Sequence, residues 1–100
     1  MARFDLHRAP GGAAGYVVNV QSDLLDHLQT RVVVPLLPPD RVPPAMPDLH
    51  PNLAVQGEAF LLATQLLAAV PRRELGPVVG SLASERDAIT RALDLLLTGF

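Results

Sequence analysis

The sequence contains no cysteine, no lysine and no tryptophan, and only 4% of its residues are aromatic. Without cysteine, disulfide bonds, thiolate catalysis and zinc–sulfur centres are excluded together. The cations are all arginines, eight in number and scattered along the chain, and the formal net charge is -2. Because binding to nucleic acid through charge requires clustered cations, this composition predicts no direct nucleic-acid binding.

Long apolar segments are missing as well. The N-terminus lacks the apolar region of a secretory signal. The longest apolar stretch, residues 59–70, is interrupted by Thr64 and Gln65 and is too short to span a bilayer. One hundred residues, almost half of them apolar, fit one domain over residues 1–100 with some apolar surface to spare. We therefore expect a soluble, cytoplasmic protein for which dimerisation is plausible.

Motifs for catalysis are also absent. His7, His27 and His50 lie in unrelated segments without metal-ligand spacing, and no P-loop, dinucleotide fingerprint or nucleophile elbow occurs. Asp23 and Asp26 could act as an acid–base pair, but capping a turn is the commoner use of such residues. The sequence predicts no metal, no cofactor and no catalytic residue, so we expect a protein that is not an enzyme.

Strand patterns dominate the first half of the chain. Residues 3–7 alternate polar and apolar, which is typical of a half-buried strand. The glycines of residues 10–15 suit a loose hairpin connection. A second strand is predicted at residues 16–20, turns with short-helix character at 23–29, and a third strand at 31–35 that Pro35 should stop.

The middle of the chain is rich in proline. Seven of the ten prolines lie in residues 35–51, which predicts a stiffened loop; a proline-rich ligand for an SH3-type partner is the alternative. Residues 53–62 suit a hairpin that turns at Gly57. Residues 59–70 have helical propensity, and the residues alone leave helix and strand open there.

The pattern of residues in the final segment of the chain predicts a helix. Its apolar stripe is Ile89, Ala92, Leu93, Leu96 and Phe100, and its polar stripe is Asp87, Arg91, Asp94 and Thr98. Ser84 and Asp87 have the spacing of a capping box, and Gly99 lies where a helix would end.

Several blocks, in order, resemble the CcdB family of bacterial toxins. The most specific are the Val-Gln-Ser-Asp run at residues 20–23 and the terminal glycine followed by one apolar residue. The remaining blocks are Val32-Val33-Val34-Pro35-Leu36, Leu49-His50-Pro51, Val55-Gln56-Gly57-Glu58-Ala59-Phe60 and the stretch from Ala69-Val70-Pro71 to Leu75-Gly76. The resemblance covers residues 3–100.

The resemblance implies a mainly β fold, an SH3-like antiparallel barrel with one C-terminal α-helix, in which residues 59–70 form strand. It also implies a homodimeric toxin of a type II toxin–antitoxin module, with a role such as plasmid maintenance. Such a toxin binds the A subunit of DNA gyrase, traps the cleaved DNA complex, and is removed by a CcdA-like antitoxin with a disordered tail. The gyrase-binding positions carried over are Leu24, Leu25, Asp94, Thr98, Gly99 and Phe100.

Three carried-over positions differ from the family pattern: Asp94 replaces an amide residue, Phe100 replaces an aliphatic residue, and the third change, at position 98, is the most consequential. Thr98 stands where the family has a tryptophan that stacks on a gyrase arginine. Besides gyrase poisoning, two alternatives therefore stay open. One is a CcdB-fold protein with a changed target or reduced toxicity. The other is a MazF-like endoribonuclease toxin on the same barrel, with Arg31, Arg72 and Arg73 as candidate phosphate ligands.

Overall fold

The computed structural model describes residues 2–12 and 15–99, which form a curled antiparallel sheet closed by one helix. The strands are β1 (Asp5–Arg8), β2 (Tyr16–Asn19), β3 (Thr30–Leu37), β4 (Asn52–Val55), β5 (Glu58–Leu62), β6 (Ala68–Pro71) and β7 (Val78–Ser81), and the helix is α1 (Arg86–Thr98). The sheet order is β4-β5-β3-β2-β1-β7, and β6 also pairs with β3. This architecture confirms the predicted mainly β fold of SH3-like type with a C-terminal helix.

Strand β3 does not end at Pro35, so that prediction is wrong. The strand continues to Leu37, and Pro35 lies opposite Val17 of β2. The carbonyl of Pro35 accepts a hydrogen bond from the Ala63 amide at 2.9 Å. Because the nitrogen and the carbonyl of one strand residue face the same edge, the missing N–H of Pro35 removes no bond to β2.

The same proline lies where the opposite edge of β3 changes partner. Residues 30–33 of β3 pair with β6, and Leu36 and Leu37 pair with β5. Between β5 and β6 the chain makes a 3-10 turn, Thr64–Leu66. The strand that the resemblance implied for residues 59–70 is therefore present as two strands with a break between them.

The β4–β5 hairpin turns at Gln56 and Gly57, as predicted from the glycine. Val55 pairs with Glu58, so the loop has two residues, and both have positive φ, at 51° and 82°. Two positive φ values define a type I′ turn, whose twist matches that of the flanking strands.

The core lies between the concave face of the sheet and α1. Its residues from the strands and from the turns beside them are Phe4, Leu6, Val18, Val20, Val34, Leu36, Leu53, Val55, Phe60, Leu62 and Leu82. From the helix, Ile89, Ala92 and Leu93 are buried as predicted, whereas Leu96 is only partly buried. Phe100, the last member of the predicted stripe, lies outside the described residues.

The two ends of α1 differ in how well they match the prediction. Ser84 belongs to a 3-10 turn, Ala83–Glu85, and Glu85 occupies the N-cap without a side-chain hydrogen bond, so the predicted capping box is wrong. The Ser81 hydroxyl instead accepts from the Ala83 amide at 3.1 Å. At the other end, Gly99 has a φ of 83° and its amide donates to the carbonyls of Asp94 and Leu95, which confirms the predicted C-cap.

Two of the three histidines are buried structural residues. His7 is on β1, and one ring nitrogen, Nδ1, lies 2.8 Å from the Gly76 carbonyl. His50 accepts from the Met46 amide through Nδ1, and its Nε2 lies 2.8 Å from Oε1 of Gln65. His50 therefore ties the proline-rich segment to the turn between β5 and β6. Over the described residues, no helix is both long and apolar enough to cross a membrane.

The type I′ turn yields a stability prediction. Gly57→Ala should lower the free energy of unfolding by about 1–2 kcal/mol, because an L side chain at that φ is strained although no atom blocks its Cβ. Gly76→Ala is the matched control, since its Cβ also meets open space but its φ is ordinary. Urea unfolding of both variants measures the difference, and equal stabilities would contradict the assigned turn.

Candidate interaction site

The segment between β2 and β3 displays three leucines to solvent. Leu24 is 88% exposed, and Leu25 and Leu28 are exposed as well. Leu24 and Leu25 lie in a 3-10 turn, Asp23–Leu25, that starts where the Ser22 hydroxyl accepts from the Leu24 amide at 3.2 Å. A leucine side chain gains roughly 1.5–3 kcal/mol when it is fully buried, so this segment holds apolar surface that a partner protein can cover.

A buried arginine holds the backbone of this segment from the inside. Arg31, at the start of β3, is only 1% exposed. Its Nη1 donates to the carbonyls of Leu28 at 2.7 Å and Thr30 at 2.8 Å. Its Nη2 donates to the carbonyl of Asp26 at 2.6 Å and to the carboxylate oxygen Oδ1 of Asp26 at 2.8 Å. The guanidinium therefore fixes three alternate carbonyls of one loop.

Two further side chains anchor the start of the segment. The Gln21 amide group donates to the Leu25 carbonyl at 3.1 Å and accepts from the Val32 amide at 3.0 Å. The Asp23 carboxylate accepts from the Arg3 amide at 2.8 Å. The two aspartates considered for acid–base chemistry thus have structural partners, Arg3 for Asp23 and Arg31 for Asp26.

The second group of carried-over residues lies at the end of α1. Asp94, Thr98 and Gly99 are all exposed. The Thr98 hydroxyl donates to the Asp94 carbonyl at 2.7 Å, and the Gly99 amide donates to the same carbonyl at 3.0 Å. Leu97 beside them is 67% exposed. Phe100, the remaining carried-over residue, lies outside the described residues.

The chain itself does not join the two groups by polar contacts. Within residues 2–12 and 15–99, no hydrogen bond or ion pair connects Leu24 or Leu25 with Asp94, Thr98 or Gly99. The sequence alone did not predict that Leu28 and Arg31 belong to the site. Leu28 carried no motif, and Arg31 was considered only as a phosphate ligand, although Asp26 five residues earlier offered an ion-pair partner.

The site has no arrangement suited to a metal ion. Among the residues that the structure describes, no three histidine, aspartate or glutamate side chains converge closely enough to hold one. Of the three arginines considered as phosphate ligands, Arg31 is buried, and both of its Nη atoms donate to residues 26–30. Arg72 is exposed and donates to the Asp26 carbonyl at 3.3 Å, and Arg73 is exposed. What the site offers is exposed leucine surface on a backbone that side-chain hydrogen bonds hold.

The curled antiparallel sheet with a C-terminal helix recurs in known toxins of toxin–antitoxin systems. One similar structure is described as an endoribonuclease in complex with its cognate antitoxin from Mycobacterial species; it is 19% identical, with a TM-score of 0.76 over 97% of this chain and 94% of that one. Another is the Mycobacterium tuberculosis toxin MazF-mt6, also 19% identical, with a TM-score of 0.72 over 90% of this chain and 92% of that one. At this identity the likeness concerns the fold.

The family to which the protein belongs is identified from its sequence. The family model described as CcdB protein matches residues 3–99, which is nearly the whole chain. The protein belongs to the CcdB family, the toxin components of toxin–antitoxin modules. The resemblance found in the Val-Gln-Ser-Asp run and the hairpin at Gly57 is thereby confirmed.

The exposure of Leu24 predicts a separation between stability and binding. Leu24→Ala should change the free energy of unfolding by less than about 0.5 kcal/mol, because its side chain packs on little of the protein. Leu53→Ala, at a leucine of β4 that is 1% exposed, should cost about 2–5 kcal/mol. Thermal and urea unfolding test both, and a large loss at Leu24 would show that the leucine is structural.

Proposed function

We propose that this protein is a CcdB-like toxin that inhibits DNA gyrase by binding its A subunit and trapping the complex in which DNA is cut. In this role it catalyses no reaction of its own and needs no cofactor or metal. Family membership supports the proposal, and so does the display of Leu24 and Leu25 at positions that the family uses for gyrase. The action would take place in the cytoplasm.

The observation that carries the proposal is the exposed, internally fixed segment around Leu24. Arg31 and Gln21 hold the carbonyls of residues 25, 26 and 28 inward, while the leucine side chains of the segment are exposed. A preformed apolar surface loses little conformational entropy on binding. This is the property expected of a protein that binds another protein tightly without chemistry.

The end of α1 supplies the second contact in the proposed complex. Asp94 and Thr98 are one helical turn apart on the exposed face, which supports a role for both residues in contacting one partner surface. A tryptophan in place of Thr98 would bury roughly 150–250 Å², worth at most about 4–6 kcal/mol, and cation–π contact would add about 0.5–2 kcal/mol. Threonine contributes little of either, which favours a weaker poison than a tryptophan-bearing relative.

Two protein partners belong to the proposal. The family pairs as a homodimer, and exposed Leu66, Val78 and Leu97 provide apolar surface that a second copy can cover. A CcdA-like antitoxin is the second partner. One of the similar structures is a complex of a toxin with its cognate antitoxin, which supports an antitoxin for this chain too.

The two alternatives differ in target. A CcdB-fold protein with a changed target or reduced toxicity remains the alternative that the Thr98 departure favours. Only the similarity of the fold to MazF-type toxins supports an endoribonuclease activity. The inward position of the Arg31 guanidinium weighs against it, because the group is 1% exposed and both Nη atoms already donate to residues 26–30.

The proposed poisoning is tested by a DNA cleavage assay. Purified protein, gyrase, ATP and supercoiled plasmid should yield linear DNA after detergent and protease treatment. Leu24→Ala should require about tenfold more protein for the same cleavage, because it removes an interface leucine. Met46→Ala, at an exposed apolar residue of the proline-rich segment, is the control and should behave as the unaltered protein.

Three outcomes decide between the targets. Linear DNA supports poisoning of gyrase. Its absence at every protein concentration overturns the proposal and leaves the changed-target alternative. Cleavage of RNA by the protein without gyrase favours the endoribonuclease and contradicts a toxin without catalysis.

The departure at position 98 gives a gain-of-function prediction. Thr98→Trp should lower the protein concentration needed for half-maximal gyrase cleavage by about tenfold or more, because it restores the buried ring. Asp87→Trp places the same ring on an exposed position at the opposite end of α1 and should leave cleavage unchanged. If both variants behave alike, the account of the missing aromatic contact is wrong.

A further inference from the structure

Arg31 is the one buried arginine among the described residues, and every hydrogen bond of its guanidinium goes to the segment that carries the exposed leucines. We propose that Arg31 is a positioning residue: it holds residues 22–30 in the conformation that presents Leu24, Leu25 and Leu28 to the partner. The inference rests on the proposed function only for the identity of that partner.

The local hydrogen bonds show why the segment needs an external anchor. Its own backbone bonds are short turns, from the Leu25 amide to the Ser22 carbonyl, from Asp26 to Asp23, and from Leu28 to Leu25. No strand partner runs along residues 22–28 in the described sheet; only at Gln29, whose carbonyl accepts from the Arg72 amide at 2.7 Å, does the β3–β6 ladder reach the segment. The guanidinium therefore donates hydrogen bonds to the carbonyls of this segment, as the backbone amides of a neighbouring strand do elsewhere in the sheet.

The four acceptors around Arg31 require several hydrogen-bond donors in a fixed arrangement. The carbonyls of Asp26, Leu28 and Thr30 and the Asp26 carboxylate all lie within 2.6–2.8 Å of Nη1 or Nη2. A guanidinium has a planar set of fixed donors, whereas a lysine ammonium is a compact charge on a flexible stem. Arg31→Lys keeps the positive charge but cannot reach all four acceptors together.

The backbone carbonyls of the segment face inward while its leucine side chains face solvent. Arg31 binds the carbonyls of residues 26, 28 and 30, and Gln21 binds the carbonyl of residue 25. Leu24, Leu25 and Leu28 are exposed on the outer side. Without the guanidinium the carbonyls would bind water, and the leucines would be free to turn toward the protein. Binding would then include the ordering of the segment and become weaker.

Hydrogen exchange of the free protein is the first test. In Arg31→Lys, under conditions where the variant is folded, amides of residues 22–30 should exchange about tenfold faster than in the unaltered protein. The amides of β2, β5 and α1 should change little. A rise that is uniform over all protected amides would show that Arg31 only stabilises the whole fold, and would overturn the inference.

A control and a second variant keep this test informative. Arg72→Lys alters an exposed arginine whose Nη1 also reaches the Asp26 carbonyl, at 3.3 Å, and it should leave exchange in residues 22–30 unchanged. If Arg31→Lys does not fold, Asp26→Ala removes one acceptor from a half-exposed side chain. This variant should raise exchange in residues 22–30 alone, and unchanged exchange there would contradict the inference.

A double-mutant cycle on binding to the gyrase A subunit is the second test. Arg31→Lys should weaken binding about tenfold in the protein with Leu24 but only about twofold when Leu24 is already alanine, because both changes act on one contact. Equal effects in the two backgrounds would mean that Arg31 does not act through the leucine. If the unaltered protein does not bind gyrase, the proposed function fails, while the exchange result still decides the role of Arg31.

Discussion

The hydrogen-bond ladders on the two edges of β3 are the interaction on which the other elements depend. One edge pairs with β2, from Tyr16 opposite Leu36 to Asn19 opposite Val33. The other edge pairs first with β6 and then with β5. A single strand therefore sets the position of three others, and the segment that joins β2 to β3 has both of its ends fixed by the same ladder.

Arg31 connects this ladder to the candidate site, and its energetics favour a role in conformation more than in stability. Hydrogen bonds to a charged group contribute about 1.5–3 kcal/mol each. Moving a guanidinium out of water costs several kcal/mol, so the net gain is small compared with the sum of its bonds. A buried apolar residue would stabilise the protein about as well. Only a side chain with several fixed donors, however, holds the carbonyls of Asp26, Leu28 and Thr30.

The parts of the fold that could be predicted from the sequence are those in which one residue dictates a local geometry. Gly57 marked the hairpin and Gly99 the helix end, because positive φ leaves few alternatives. The prediction that Pro35 stops the third strand is wrong, because β3 continues through it to Leu37. A proline removes one donor, and only the tertiary pairing decides which ladder loses it; here the partner ladder breaks between β5 and β6 while β3 itself continues.

The exposed leucines of the candidate site could be predicted from the sequence, but the arginine that supports them could not. The positions of Leu24 and Leu25 came from the family resemblance, but Arg31 could not be recognised as their support, because a charged residue in a strand is normally solvated. Membership of the family follows from the match of the family model to residues 3–99. The proposed target, in contrast, depends on a few exposed side chains that contribute little to folding. Thr98 is exposed, so a change of residue at this position disturbs no buried neighbour and leaves the fold intact. In the proposed function, fold and target are therefore separable, because different residues would determine them.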